Sequence, residues 1–127
     1  KRCMPLKASG PFHTGLMKPA GDALAKHFTK ICFGEMEVPV YFNCKGAPMG
    51  EGDTIPALLE RQVQSSVYWE DTIRAMEADG IDTIVEIGPG KTLSSFVKKT
   101  APSIKTYNID TAEDFLKVTA ALKGEAL

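Results

Sequence analysis

Histidine, cysteine and tryptophan are scarce in this chain, and each shortage closes off a class of function. There are two histidines, three cysteines and one tryptophan among 127 residues. Cys3, Cys32 and Cys44 are odd in number and lack any C-x-x-C spacing. That pattern argues for reduced thiols in a cytoplasmic setting rather than a disulfide framework. No two histidines or cysteines stand at i, i+4, so no metal site is expected. No apolar run approaches the ~20 residues that cross a bilayer, and no apolar stretch follows the charged start at Lys1-Arg2. Neither a membrane nor a signal peptide is therefore expected. Fifteen Lys and Arg nearly balance sixteen Asp and Glu, a net charge of −1, which gives no electrostatic ground for a nucleic-acid partner.

The glycine-rich turn GPGKT (88–92) looks at first like a phosphate loop, but the pattern G-x-x-x-x-G-K-[ST] would need glycine where Val85 stands. Pro89 also lacks an N–H to offer a phosphate. The stretch reads as a tight strand-to-helix turn, and no cofactor is expected.

Hydrophobic periodicity organises the rest. MPLKAS (4–9) reads as a short strand into a Gly10-Pro11 turn. Met17, Gly21, Leu24, Phe28 and Ile31 recur at helical intervals. With Pro19 admissible only in a first turn, this predicts a loose turn over 14–18 and then a helix to about Cys32. VPVYFN (38–43) reads as a strand, and 44–52 as a loop. Asp53 or Thr54 can cap a helix to about Gln64, and a third helix covers about 69–79, stopped by Gly80. DTIVEIG (82–88) is a strand apolar enough for burial on both faces. A helix over 91–100, a strand over 105–109 and a last helix over 111–123 follow, the last with Phe115, Val118, Ala121 and Leu122 inward. Strands alternating with helices define an α/β class with a mainly parallel sheet.

His13 is the leading chemical candidate. It lies at a helix N-terminus, where the dipole disfavours imidazolium and leaves a ring able to accept a proton. A structural histidine satisfying a turn is the alternative. Gln62 falls one turn before a helix end, so its carbonyl lacks an intrahelical donor. Such a carbonyl can accept Nδ1–H from an imidazole and leave Nε2 free, or it can simply meet water. Asn43, at the end of a strand, either hydrogen-bonds within a site or only ends the strand.

Three stretches, SGPFHTGLMKPA (9–20), LLERQVQSSVYWEDTIRAM (58–76) and VEIGPGKTLSSFVKK (85–99), together resemble the C-terminal part of the malonyl-CoA:acyl carrier protein transacylase family of fatty acid synthesis. The resemblance covers nearly the whole chain. It implies an α/β-hydrolase-like large domain, of which residues 1–127 would be the C-terminal portion. It also implies a ping-pong transfer of malonyl from CoA to the phosphopantetheine thiol of acyl carrier protein, through an acyl-serine. On that alignment His13 is the catalytic base and Gln62 the residue whose carbonyl holds it. Phe12 matches the aromatic residue that malonyl-selective members carry; Asn43 is a substrate-binding candidate from its place at the strand end, not from the alignment. The chain departs from the family in one large respect: it has no G-x-S-x-G, so the nucleophile is absent. The implied partners are malonyl-CoA, acyl carrier protein and an N-terminal part of the same enzyme, and the segment alone is expected to be inactive. The alternative is a non-catalytic fragment that complements another or docks carrier protein, for which Lys7, Lys18, Lys91, Lys98 and Lys99 are candidates.

Overall fold

The structure is a computed structural model that describes residues 9–124, and the described residues fall into two compact units that divide between residues 72 and 73. The strand expected over 4–9 lies, but for Ser9, outside the described residues, as does Lys7.

The first unit begins with a 3-10 turn at Gly15–Met17 and continues as α1 (Lys18–Phe28), with Pro19 in its first turn. The helix stops four residues short of Cys32. Thr29 turns its hydroxyl back on the Lys26 carbonyl, and the N–H groups of Lys30 and Ile31 bond only three residues back, to His27 and Phe28. A hydroxyl that competes for a helix carbonyl favours such an ending. The chain then folds back so that the rings of Phe28 and Phe33 meet edge to face at 5.4 Å.

The expected strand over 38–43 shrinks to β1 (Tyr41–Phe42), paired antiparallel with β2 (Ala47–Pro48). Pro39 has no N–H for a ladder, and Val38 and Val40 are left exposed. The hairpin carries the unit's core: Phe42 and Cys44 are buried against Leu58 of α2 (Ile55–Gln64), with Met36, Met49 and Leu59 around them. Of the two possible caps, Thr54 is the one used, its hydroxyl accepting from the Ala57 N–H. Asp53 instead ties the loop to the hairpin: it takes the Gly50 N–H at 2.8 Å and pairs with the Lys45 ammonium. Those contacts hold its carboxyl below the usual range, the Lys45 hydrogen bond contributing most.

α3 (Trp69–Ala78) starts in the first unit, and Gly80, at φ +83°, ends it. In the second unit β3 (Thr83–Ile87) and β4 (Lys105–Ile109) pair in parallel, from Thr83 opposite Lys105 to Ile87 opposite Ile109, with α4 (Thr92–Thr100) as the crossover. This is the expected α/β arrangement. Ile73, Val97, Ala101 and Ile104 form its buried centre. β3 departs from expectation: most of it is half-buried and Ile87 is 80% exposed. An apolar run reports what a strand can bury; the covering elements decide what is buried.

α5 (Ala112–Lys123) opens on a full capping box, in which Thr111 and Asp114 exchange side-chain and backbone bonds, and ends on Gly124 in the left-handed region. It buries Val118 and Ala120, while Phe115 and Leu122 are both 55% exposed. Ala121 is exposed as well, so the expectation of Phe115, Ala121 and Leu122 inward is corrected. Apolar residues occur around most of this helix, so periodicity alone does not select its inner face.

The GPG turn is built around Glu86. Its carboxylate accepts the N–H groups of Leu93 (3.1 Å) and Ser94 (2.8 Å) at the start of α4, and the side-chain N–H of Asn108 (2.9 Å). Asn108 also reaches the Ser94 hydroxyl at 3.0 Å. These bonds, those from Ser94 first, pull the Glu86 pKa from 4.5 to about 2. The helix N-terminus that a phosphate would need is filled by the protein's own carboxylate.

Two expected outcomes follow from this architecture. The Glu86 contribution to stability is complete above its unfolded pKa of 4.5 and is lost as pH falls towards about 2. Denaturant midpoints of Glu86→Gln should lie below those of the unsubstituted chain at neutral pH, and the gap should close through that window; a gap independent of pH contradicts the assignment. Gly46 sits at φ +68°, and a Cβ there would come within 2.6 Å of the Asp71 Cβ and 3.2 Å of the Tyr68 carbonyl oxygen. Gly46→Ala should cost the first unit about 2–4 kcal/mol from backbone strain and overpacking together. Urea unfolding followed by Trp69 fluorescence reads this, and an unchanged midpoint would refute it.

Candidate functional site

The candidate residues of the first unit converge on the C-terminal end of α2. Gln62 is the third residue from the end of that helix, and Ser65 beyond it is extended at φ −119°, ψ 156°. The Gln62 carbonyl therefore has no helical N–H four residues on. His13 Nδ1 lies 3.2 Å from this oxygen, across 49 residues of sequence. A carbonyl only accepts, so the bond requires the proton on Nδ1 and leaves the Nε2 lone pair unshared. The ring is exposed, which leaves Nε2 accessible to a reacting group.

The backbone of His13 is unusual. Its φ of +59° makes it the non-glycine residue in the left-handed region among the described residues. Histidine enters that region more readily than most side chains, yet such a conformation costs on the order of 1–3 kcal/mol and persists only where neighbours enforce it. Thr14 is the enforcing neighbour. Its hydroxyl donates to the Pro11 carbonyl at 2.7 Å and accepts the Leu16 N–H at 3.3 Å, closing the chain on both sides of His13. The sequence alone does not single out Thr14 for this. The available signal was a threonine placed just before a helical pattern, the preferred type for an N-cap.

Phe12 is 57% exposed, and its ring folds over Gly10, where an added Cβ would meet it at 3.0 Å. Glycine at position 10 leaves the space that the edge of this ring takes. Asn43 enters through its backbone: its N–H donates to the Gln62 side-chain oxygen at 2.9 Å, and its carbonyl accepts the Tyr68 N–H at 2.9 Å. Gln62 thus faces His13 with its main chain and Asn43 with its side chain. The structure brings His13, Gln62 and Asn43 into one bonded series, with Phe12 adjacent in sequence to the histidine.

Other candidates stand apart. A groove of about 510 Å³ lined by Phe33, Met36, Met49, Ile55 and Pro56 includes none of these four residues. Lys18 is engaged by Asp22 at 2.7 Å, one helical turn on. Lys91, Lys98 and Lys99 are exposed in the second unit, the latter two in the last turn of α4, where a cation suits the helix dipole. Among the described residues, no group of three or more His, Cys, Asp or Glu is arranged to hold a metal ion. Nor is any helix among them long and apolar enough to cross a membrane.

Comparison with known proteins gives this geometry a setting. No family profile matches the chain. Individual proteins do. The chain is 38% identical over 125 residues to a malonyl CoA-acyl carrier protein transacylase of Bacillus subtilis, covering 98% of this chain and 39% of that protein. The crystal structure of a malonyl CoA-acyl carrier protein transacylase from Clostridium perfringens superposes with a TM-score of 0.86 at 35% identity, over 95% of this chain and 38% of that one. A malonyl-transacylase in complex with a type II PKS acyl-carrier protein superposes at 0.81 and 32% identity, over 98% of this chain and 40% of that one. These likenesses first define a class: the scaffold is an α/β scaffold of the acyltransferases. Within that class, over the stretch it shares with them, the chain is similar to proteins named malonyl CoA-acyl carrier protein transacylase. It spans about two-fifths of the length of the relatives it matches.

The role assigned to Thr14 has a direct consequence. Thr14→Ala should lower stability by about 1 kcal/mol, the usual cost of a lost N-cap, whereas Thr14→Ser should hold the wild-type value. Chemical denaturation of the two variants side by side distinguishes them, and equal losses would show that the hydroxyl is not what matters.

Proposed function

We propose that this chain supplies the base of a malonyl transfer from CoA to the phosphopantetheine thiol of acyl carrier protein, as in fatty acid synthesis. The observation that carries the reading is the 3.2 Å approach of His13 Nδ1 to the Gln62 carbonyl, within a chain homologous to malonyl transacylases. The chain holds no G-x-S-x-G, so the nucleophilic serine belongs to the part of the enzyme that precedes this segment. On this reading residues 1–127 are the C-terminal portion of the hydrolase-like large domain.

The chemistry then runs in two halves. His13 Nε2 takes the hydroxyl proton of the serine as its oxygen attacks the malonyl thioester. The Gln62 carbonyl stabilises the Nδ1–H side of the resulting imidazolium, the task an aspartate performs in other triads. When the tetrahedral intermediate collapses, the C–S bond breaks, and the imidazolium returns its proton to the departing CoA thiolate. In the second half Nε2 takes the proton of the carrier-protein thiol. The new thiolate attacks the acyl-serine, the C–O bond breaks, and the serine oxygen leaves with the proton.

Phe12 and Asn43 are the substrate-binding residues of this proposal. A phenyl ring beside the base crowds the acyl α-carbon, and steric selection of this kind is worth about 1–3 kcal/mol per methylene. The partners are malonyl-CoA, acyl carrier protein and the serine-bearing part of the same enzyme. The complex of a structural neighbour with an acyl-carrier protein supports the second of these.

In the complete enzyme, His13→Ala should slow acylation of the serine by ~10²–10⁴-fold, the usual cost of removing a general base. Intact-mass measurement of the malonyl adduct over time reads this directly. Near-normal acylation in that variant would end the proposal.

A further inference from the structure

Only the backbone of Gln62 touches His13, and every residue has a backbone carbonyl, so the contact alone does not explain what the glutamine side chain does. We propose that the Gln62 side-chain amide is a positioning group: by binding the Asn43 N–H, it fixes the direction of the carbonyl that orients His13. The inference rests on the reading of His13 as base.

A carbonyl in the last turn of a helix is poorly held. It lacks its own intrahelical donor, and helix ends fray. Orienting an imidazole needs an acceptor that stays in place, because an error of about 1 Å in a catalytic group costs on the order of 100-fold in rate. The Asn43 N–H is a fixed point against which such a carbonyl can be held. Phe42 and Cys44 on either side of it are buried at 3% and 0% exposure. The Cys44 thiol reaches the Leu58 carbonyl, one turn earlier on α2, at 3.6 Å. The Asn43 carbonyl is held by the Tyr68 N–H, and the Phe42 carbonyl takes two N–H groups, from Lys45 and Gly46. The two-residue ladder of β1 and β2 ends at Phe42, so the Asn43 N–H finds its acceptor in Gln62 Oε1. The end of α2 is thereby pinned to the most buried part of the hairpin, within the residue that faces His13.

The side chain must be long enough to reach β1 and must end in an acceptor. Glutamate meets both conditions; methionine has the length without a comparable acceptor. The experiment uses the complete enzyme with ¹⁵N-labelled histidine, His13 being assigned by the signal lost in His13→Ala. Gln62→Met should reduce the fraction of His13 carrying its proton on Nδ1 and lower kcat about tenfold or more, with KM for malonyl-CoA unchanged. Gln62→Glu should restore most of both losses. A wild-type tautomer fraction and kcat in Gln62→Met would overturn the proposal, as would equal losses in the two variants. Should Gln62→Met fail to fold, hydrogen exchange at the Asn43 amide of the unsubstituted enzyme decides: strong protection supports the proposal, and exchange as fast as that of an open loop overturns it. His13→Ala, run in the same assay, separates the two ideas. Normal turnover there would remove the base assignment, while the tautomer measurement still reports on Gln62.

Discussion

A single main-chain oxygen organises the first unit: the Gln62 carbonyl, left without a helical donor because Ser65 leaves the helix, and met by His13 from 49 residues away. Everything nearby serves to keep those two groups together. On one side Thr14 binds both flanks of the histidine and holds it at a φ that few side chains adopt. On the other, the glutamine side chain anchors the same residue to the hairpin. Neither support is strong alone, since one neutral hydrogen bond contributes about 0.5–1.5 kcal/mol net. Together they restrict an exposed imidazole that would otherwise sample both tautomers.

The second unit applies a related device for a different end. There the orphan groups are the N–H donors at the start of α4, and Glu86 satisfies them from the strand before the turn. Asn108, from β4, closes the arrangement by binding both Glu86 and Ser94. Strand, turn, helix and neighbouring strand are thus joined through one carboxylate. This is why GPGKT, despite its look, is a structural turn. A helix N-terminus has limited positive potential, and a covalently tethered carboxylate at 2.8 Å outcompetes a free anion by proximity.

Much of the secondary structure was legible in advance where local rules act alone. Thr54 stands in front of a helical pattern and caps it; Gly80 ends a helix; the β4 boundaries match the run KTYNI. The misreadings share a cause. Residues 38–40 have strand composition but no partner, because pairing is not a property of one segment. α1 ends early because the Thr29 hydroxyl competes locally with the helix. α5 offers apolar residues on more than one face, so which face is buried depends on what packs against it. At the candidate site, the histidine and the orphan carbonyl were visible as separate features. The role of Thr14 and the bond from Asn43 to the glutamine side chain were not, since each depends on where a backbone lies.

The sequence by itself determined the chemistry on offer: which residue can carry a proton near neutrality, which helix ends lack donors, which turns require glycine, and, through shared motifs, which proteins the chain is similar to. These are properties of residue types and of spacings shorter than a helix. The tertiary structure alone decided that positions 13 and 62 meet, that residue 43 lies within reach of both the glutamine side chain and the Tyr68 N–H, and which nitrogen of the ring keeps its proton. Hydrogen bonds act over about 3 Å, whereas the groups concerned are separated by tens of residues, and only the packing of α2 against α1, the 3-10 turn and the hairpin closes that distance.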